Sequence, residues 1–306
     1  MSTNSPVLQL AQDQLAEETY RSESLYTKGL RRLLRDRLTM TALIIIALLL
    51  IVSFSSPLIN QYILQIDPNK TNAMNTLQGY GTPGHLLGTD ELGRDVLARL
   101  LVAGRVSLSI GFYGAIASLI IGMIVGLITG YFGGVVDDIV NWVITTLDSI
   151  PSLYLLIMIA ALLRPTAEAL ILAIALISWT GVARIIRGQT LSIRNLDYVL
   201  SARAMGASAV RIMFAHILPN LISITVIVLA RAVGNLMLAE AGLSFLGFGV
   251  QPPQATWGNM LSRSQEYIRT APHLIWPPGV MITMAVLCLY VIGDGIRDAF
   301  DPTSRR

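Results

Sequence analysis

Residues Gly111–Gly134 read GFYGAIASLIIGMIVGLITGYFGG, and no charged side chain occurs among them. A helix of about 20 apolar residues spans the roughly 30 Å hydrocarbon core of a bilayer, so this stretch is expected to cross a membrane. Gly122, Gly126 and Gly130 recur at every fourth position and share one helix face. Small residues at that spacing let helices approach closely where lipid supplies no hydrophobic drive. They predict tight packing against a neighbouring span.

The rest of the chain extends the pattern. Of its 306 residues, 53% are hydrophobic and only 13% charged, with a mean hydropathy of +0.62. A soluble domain carries about a quarter charged residues. Six spans in all are expected, near Thr39–Ile59, Arg105–Tyr131, Asp137–Leu163, Ala167–Ile186, Leu221–Leu246 and Leu274–Ile292. Pro151 lies inside the third and should bend it. The net charge of +3 and pI near 9.1 then report topology rather than nucleic-acid binding. Arg31, Arg32, Arg35 and Arg37 precede the first span, and Arg184, Arg187, Arg194, Arg203 and Arg211 border the gap between the fourth and fifth. Arg297, Arg305 and Arg306 follow the last. Six spans put all three regions on one side, and the positive-inside rule makes it the cytoplasm.

The expected fold is thus an all-α polytopic membrane protein with six transmembrane helices and both termini cytoplasmic. A cytoplasmic tail (1–38) carries a basic amphipathic helix with Leu30, Leu33, Leu34 and Leu38 on helical spacing. That helix either lies on an anionic membrane surface or merely flanks the next span. The first span (39–59) and an external loop (60–104) follow. A five-helix core (105–296) contains a cytoplasmic loop (187–220) and an external loop (247–273), and a short cytoplasmic tail (297–306) ends the chain. The first apolar run sits behind a long polar tail and is too long for a signal-peptide core, so no cleaved leader is expected.

Charges within the spans are few. Asp148, Arg231 and Glu240 are costly in hydrocarbon and must face protein or water. They are candidates for lining a pathway or for pairing within the bundle. Arg231 and Glu240, nine residues apart, point to nearly opposite sides of one helix. In the external loop, Asp90 is expected to cap a short helix bearing Leu92, Val96 and Leu100, with Asp90–Arg94 and Asp95–Arg99 as i,i+4 pairs.

Enzymatic chemistry lacks its parts. The two lysines, Lys28 and Lys70, stand in no phosphate-cradling loop. No zinc-binding helix or nucleophile elbow occurs, and a serine–lysine dyad has no lysine within the spans. His85, His216 and His273 are far apart in sequence and near no run of carboxylates, so no metal site is expected. Cys288 is a lone cysteine, so no disulfide forms within the chain.

The cytoplasmic loop holds SARAMGASAVRIMFAHILPN, Ser201–Asn220. Asn195 or Asp197 can cap a short helix over Tyr198–Met205, Gly206 can end it in the left-handed conformation, and Leu218-Pro219-Asn220 stops one helix and begins the fifth span. Its alanines make a shallow surface suited to a partner's groove, or simply an ordinary surface helix. Ala202, Gly206 four residues on, and Leu218-Pro219 twelve and thirteen beyond resemble the coupling loop of permease subunits in binding-protein-dependent ABC importers. Leu200, Ser201 and His216 depart from that pattern, which has Glu, Ala and Ile there. HLLGTDELGRDVLARLLVAGRVSLSIGF (His85–Phe112), AEAGLSFLGFGVQPPQATWGNML (Ala239–Leu261) and GDGIRDAFDP (Gly293–Pro302) resemble the C-type permease of the dipeptide, oligopeptide and nickel branch.

The resemblance implies a prokaryotic inner-membrane subunit that forms half of a translocation pathway, with a second permease as its heterodimer partner. Two ATPase subunits, which bind ATP and Mg, and an external solute-binding protein would complete the complex. This chain would need no cofactor of its own. Ser201, Ala202, Arg203, Ala204, Met205, Gly206, Ala207 and Ser208, with Leu218 and Pro219, would form the coupling site. Peptides are the implied cargo; nickel chelates, glutathione or another small solute are the alternatives. A self-sufficient secondary transporter is a further one, but would need more ion-coupling carboxylates and a repeat.

Overall fold

The computed structural model describes residues 25–162 and 166–300. The expectations for residues 1–24, Leu163–Pro165 and the 301–306 tail lie outside them. Among the described residues the regular structure is helical, with two isolated β-bridges, Thr82–His85 and Thr89–Asp95. Helix α1 (Leu25–Arg35) leads into α2 (Arg37–Phe54), and α3 covers Val96–Phe132. Helices α4 (Gly134–Asp148) and α5 (Ser152–Leu162) are followed by α6 (Ala167–Ile193) and the short α7 (Asp197–Ala204). Then come α8 (Leu218–Phe245), the short α9 (Trp257–Ser264) and α10 (Trp276–Phe300). Among the described residues, five helices are long and apolar enough to cross a membrane: α2, α3, α6, α8 and α10. Helices α4 and α5 make a sixth if the pair, bent by 80° across Ser149–Pro151, counts as one span. Pro151 thus stands at the break where its missing N–H and ring forbid a continuous helix.

The direction of each helix follows from its contacts. A Cβ added at Gly122 would stand 2.6 Å from Val182 Cβ, at Gly126 2.5 Å from the Ala183 carbonyl, and at Gly130 2.6 Å from Thr190 Cβ. Numbers rise together, so α3 and α6 run parallel. Ser107 of α3 bonds to Glu240 while Gly111, one turn on, meets Met237 and Val233, so α8 runs antiparallel to α3. Gly234 meets Val286, and Gly293 meets Arg231, so α10 opposes α8. The core is apolar side chains of α3, α6, α8 and α10, with Ile110, Ala115, Ile174, Leu243 and Ala285 fully buried. Helix α1 rests its Gly29 against Phe300 at the end of α10.

Local chemistry sets the helix ends. Asp36 caps α2, accepting from the backbone N–H of Leu38 and Thr39. The Thr39 hydroxyl, and then its N–H, hold the Asp36 carboxyl below its usual range. Asp95, not Asp90, caps α3, accepting from Ala98 N–H at 2.7 Å. Asp90 instead closes a loop by accepting from Leu92 and Arg94 N–H. The expected short helix around Leu92 is therefore absent, and span two begins at Val96, nine residues earlier than Arg105. The Asp90–Arg94 pair forms at 2.7 Å but is buried, and Asp95 pairs with His85 at 2.8 Å rather than with Arg99. His85 thus has a carboxylate neighbour that sequence separation concealed.

Two expectations for the 187–220 loop are also corrected. Leu196 occupies the cap position of α7 and no side chain caps it; neither Asn195 nor Asp197 does so. Leu218-Pro219 does not stop a helix. A turn at Ala209–Arg211 passes through a π-helical stretch, Ile212–Ile217, straight into α8. The wider π turn, closed by Leu218 N–H to the Met213 carbonyl, makes room for a proline ring that an α turn would push against a carbonyl.

Candidate functional site

Helix α7 presents two faces. Val199 is buried in a cluster with Ile186, Ile212, Ile217 and Leu221, and Ala202 is buried as well. Ala202 is therefore a bundle contact and not part of the shallow outer surface read from the sequence. Ser201, Arg203, Ala204, Met205, Gly206 and Ser208 are exposed, and Ala207 is half-buried. Gly206 has φ +83°. Its N–H bonds to the Arg203 carbonyl and that of Ala207 to the Ala202 carbonyl, both at 3.0 Å, the paired closure that a left-handed glycine makes at a helix end. Ser208 restarts the chain, accepting from Arg211 N–H. Around this turn Met205 is 82%, Val210 61% and Phe214 59% exposed, a set of large apolar side chains projecting from one end of the bundle. Leu218 is half-buried and Pro219 exposed, beyond the π turn.

Arginines assigned by sequence to the loop tie this turn to the spans. Arg194 donates to the Gly130 and Tyr131 carbonyls at 2.8 and 3.2 Å, satisfying the end of α3. Arg203 stacks 5.3 Å from the Tyr131 ring centroid. Arg187 forms a two-pronged pair with Asp137 of α4. Nothing in the sequence singled out Tyr131, because its partners lie 63 and more residues away.

The charges within the spans find separate partners. Glu240 is 1% exposed and is held by three hydroxyls. Its Oε1 accepts from Ser244 at 2.7 Å and Thr256 at 2.8 Å, and its Oε2 from Ser107 at 3.4 Å. Ser107 in turn accepts from Trp257 N–H, and Trp257 Nε1 donates to the Leu100 carbonyl. Thr256 and Asn259 close a capping box on α9. This network pins α8, α3 and the 247–264 segment together, uniting two of the three stretches that carry the resemblance. Glu240→Ala leaves these hydroxyls without their acceptor. We expect it to cost roughly 1–3 kcal/mol and lower the thermal midpoint of the purified protein, while Glu240→Gln, which keeps an acceptor, costs less.

Arg231 pairs with Asp294 on α10, next to a Tyr290–Asn235 hydrogen bond. Asp148 accepts from Thr180 at 3.0 Å and pairs with Arg184. At the other end of the bundle, Arg94 bridges Asp90 and Glu91, Arg263 joins Glu91, and Arg99 reaches the Pro68 carbonyl and Asn69. Among the described residues no group of three or more His, Cys, Asp or Glu is placed to hold a metal.

This arrangement is a helical bundle with an apolar knob at one end and a salt-bridged cap at the other. Comparison with known proteins gives it a family. Residues 122–306 match the model of the binding-protein-dependent transport system inner membrane component, and residues 24–79 match the N-terminal TM domain of oligopeptide transport permease C. The chain is 35% identical to the dipeptide transport system permease protein DppC of Alkalihalophilus pseudofirmus, over 94% of this chain and 92% of that protein. It is 35% identical to the oligopeptide transport system permease protein OppC of Haemophilus influenzae, over 99% and 96%. It is also 35% identical to the glutathione transport system permease protein GsiD of Pectobacterium atrosepticum, over 89% of each. On the strength of matches that run nearly end to end, the chain belongs to the family of binding-protein-dependent transport system inner membrane components, as a C-type permease.

Proposed function

We propose that the chain forms half of the translocation pathway of an ABC importer for peptides, and that ATPase subunits drive it through the turn around Gly206. The observation that carries the coupling role is the exposed apolar set at Met205, Val210 and Phe214, on the turn that follows a helix anchored in the bundle through Val199. Peptide cargo rests on the relatives named for dipeptide and oligopeptide transport; the glutathione permease among them suggests a similar zwitterionic class.

Six crossings with both termini cytoplasmic fit best. Parallel packing of α3 and α6 requires the chain between them to return to its starting end, which supports α4–α5 as a broken span rather than a re-entrant loop. The arginines of α1, of the 187–211 segment and Arg297 then share the cytoplasmic side. The membrane is the prokaryotic inner membrane. The partners are a second permease, two ATPase subunits holding ATP and Mg, and an external binding protein. In the same orientation, the cap of residues 60–95 and 247–275 faces outward.

Proteoliposomes holding the whole complex should take up tri-alanine only with ATP and the binding protein. A Met205→Cys variant should cross-link to a cysteine in an ATPase subunit. Uptake by this chain alone, driven by an ion gradient, would overturn the proposal.

A further inference from the structure

The break in the broken span opens a cavity of about 350 Å³, lined by Asp148, Ser152, Ser178, Thr180 and the apolar Leu155 and Ile177. Asp148, the charged residue of its lining, pairs with Arg184, and the two side chains are 38% and 56% exposed. These groups lie within apolar helices, and half-exposed charges there cannot face hydrocarbon. The other face of α6 is closed by the glycine contacts with α3, so the pair looks away from the packed core. The Arg187–Asp137 pair lies a turn further toward the α7 end, which places the cavity in the coupling half of the spans.

We propose that this cavity is a solute-contact station on the translocation path, taking solutes that carry both an ammonium and a carboxylate. The inference rests on the importer reading and adds a site to it. The charge balance selects the class. A zwitterion that enters between Asp148 and Arg184 gives its ammonium to the former and its carboxylate to the latter. One ion pair becomes two, and no charge is left uncompensated within the spans. A singly charged solute would strand one of the two side chains. Thr180, already bonded to Asp148, and the Ser152 and Ser178 hydroxyls supply partners for peptide N–H and C=O groups. The break itself provides the space, since a straight helix would run through it.

The test uses the complete complex in proteoliposomes, with Cys288→Ala to remove the native thiol and Ser178→Cys to report on the cavity. A hydrophilic methanethiosulfonate reagent should modify the new cysteine. Tri-alanine should slow the modification at least about tenfold, whereas N-acetylated, C-amidated tri-alanine should slow it less than about twofold. Adding Asp148→Asn should abolish the protection. No modification, as expected if lipid or the partner permease covers the groove, overturns the site. Equal protection by both peptides, or by neither, overturns it as well. ATP-driven tri-alanine uptake by the unmodified complex reads the importer function separately. Uptake without protection sinks only this site; absence of uptake sinks both.

Discussion

Gly206→Trp abolishes uptake by the assembled complex and leaves the protein in the membrane. The reason is geometric. At φ +83° a side chain costs about 1–2 kcal/mol of backbone strain, yet a Cβ there meets nothing within 4 Å. The indole therefore does not disturb the bundle. It projects into the space around Met205 and Val210 that the proposed ATPase partner would fill, and would turn a shallow contact into a wedge. Uptake should fall by about 100-fold or more, the effect of roughly 3 kcal/mol of lost docking, while membrane abundance stays within about twofold. Gly206→Ala carries the strain without the wedge and should retain most of the transport. Measured uptake of both variants, beside immunoblots of the membrane fraction, checks this. Normal transport by the tryptophan variant would remove the coupling role from this turn.

Gly126→Leu has the opposite character: the fold itself fails. The first added carbon would lie 2.5 Å from the Ala183 carbonyl and 2.9 Å from Ile186 Cβ. Backbone cannot yield as a flexible side chain does, so α3 and α6 must separate along the Gly122–Gly130 face. Overpacking a close-packed site costs about 1–3 kcal/mol even for small insertions, and here a whole side chain has no room. The expected result is a purified protein that unfolds at least about 10 °C lower, or that is degraded before purification. Gly181 on α6 is the control, since a Cβ there meets nothing within 4 Å. Gly181→Ala should change the midpoint by little. Thermal unfolding in detergent, followed by size-exclusion, separates these outcomes.

Much of this was legible in local pattern. Charge-free length marked the spans, glycine spacing marked the face of α3 that meets α6, Pro151 marked the break, and Gly206 marked the end of α7. These signals depend on a few neighbouring residues. What escaped depends on distant ones. Asp90 and Asp95 are both plausible caps by composition; only the fold of the 72–95 loop, with Asp90 closing on Arg94, gives the cap to Asp95. Arg184, Arg187 and Arg194 read as loop charge because their partners Asp148, Asp137 and Gly130 lie 36, 50 and 64 residues away. The hydroxyl cage of Glu240 draws on Ser107, 133 residues earlier. The π turn before Pro219 was hidden because a proline after an apolar run ordinarily signals a boundary.

Helix α3 is uninterrupted from Val96 to Phe132, a rod of about 55 Å at 1.5 Å per residue. Tyr131 and Gly130 at one tip carry Arg203 and Arg194, while Leu100 and Ser107 near the other seat Trp257. A stiff axle shared by both attachments cannot be shifted at one hub without swinging the other. With the proposed ATPase and binding protein at these two ends, fuel burned beneath and cargo delivered above would register as a single stroke.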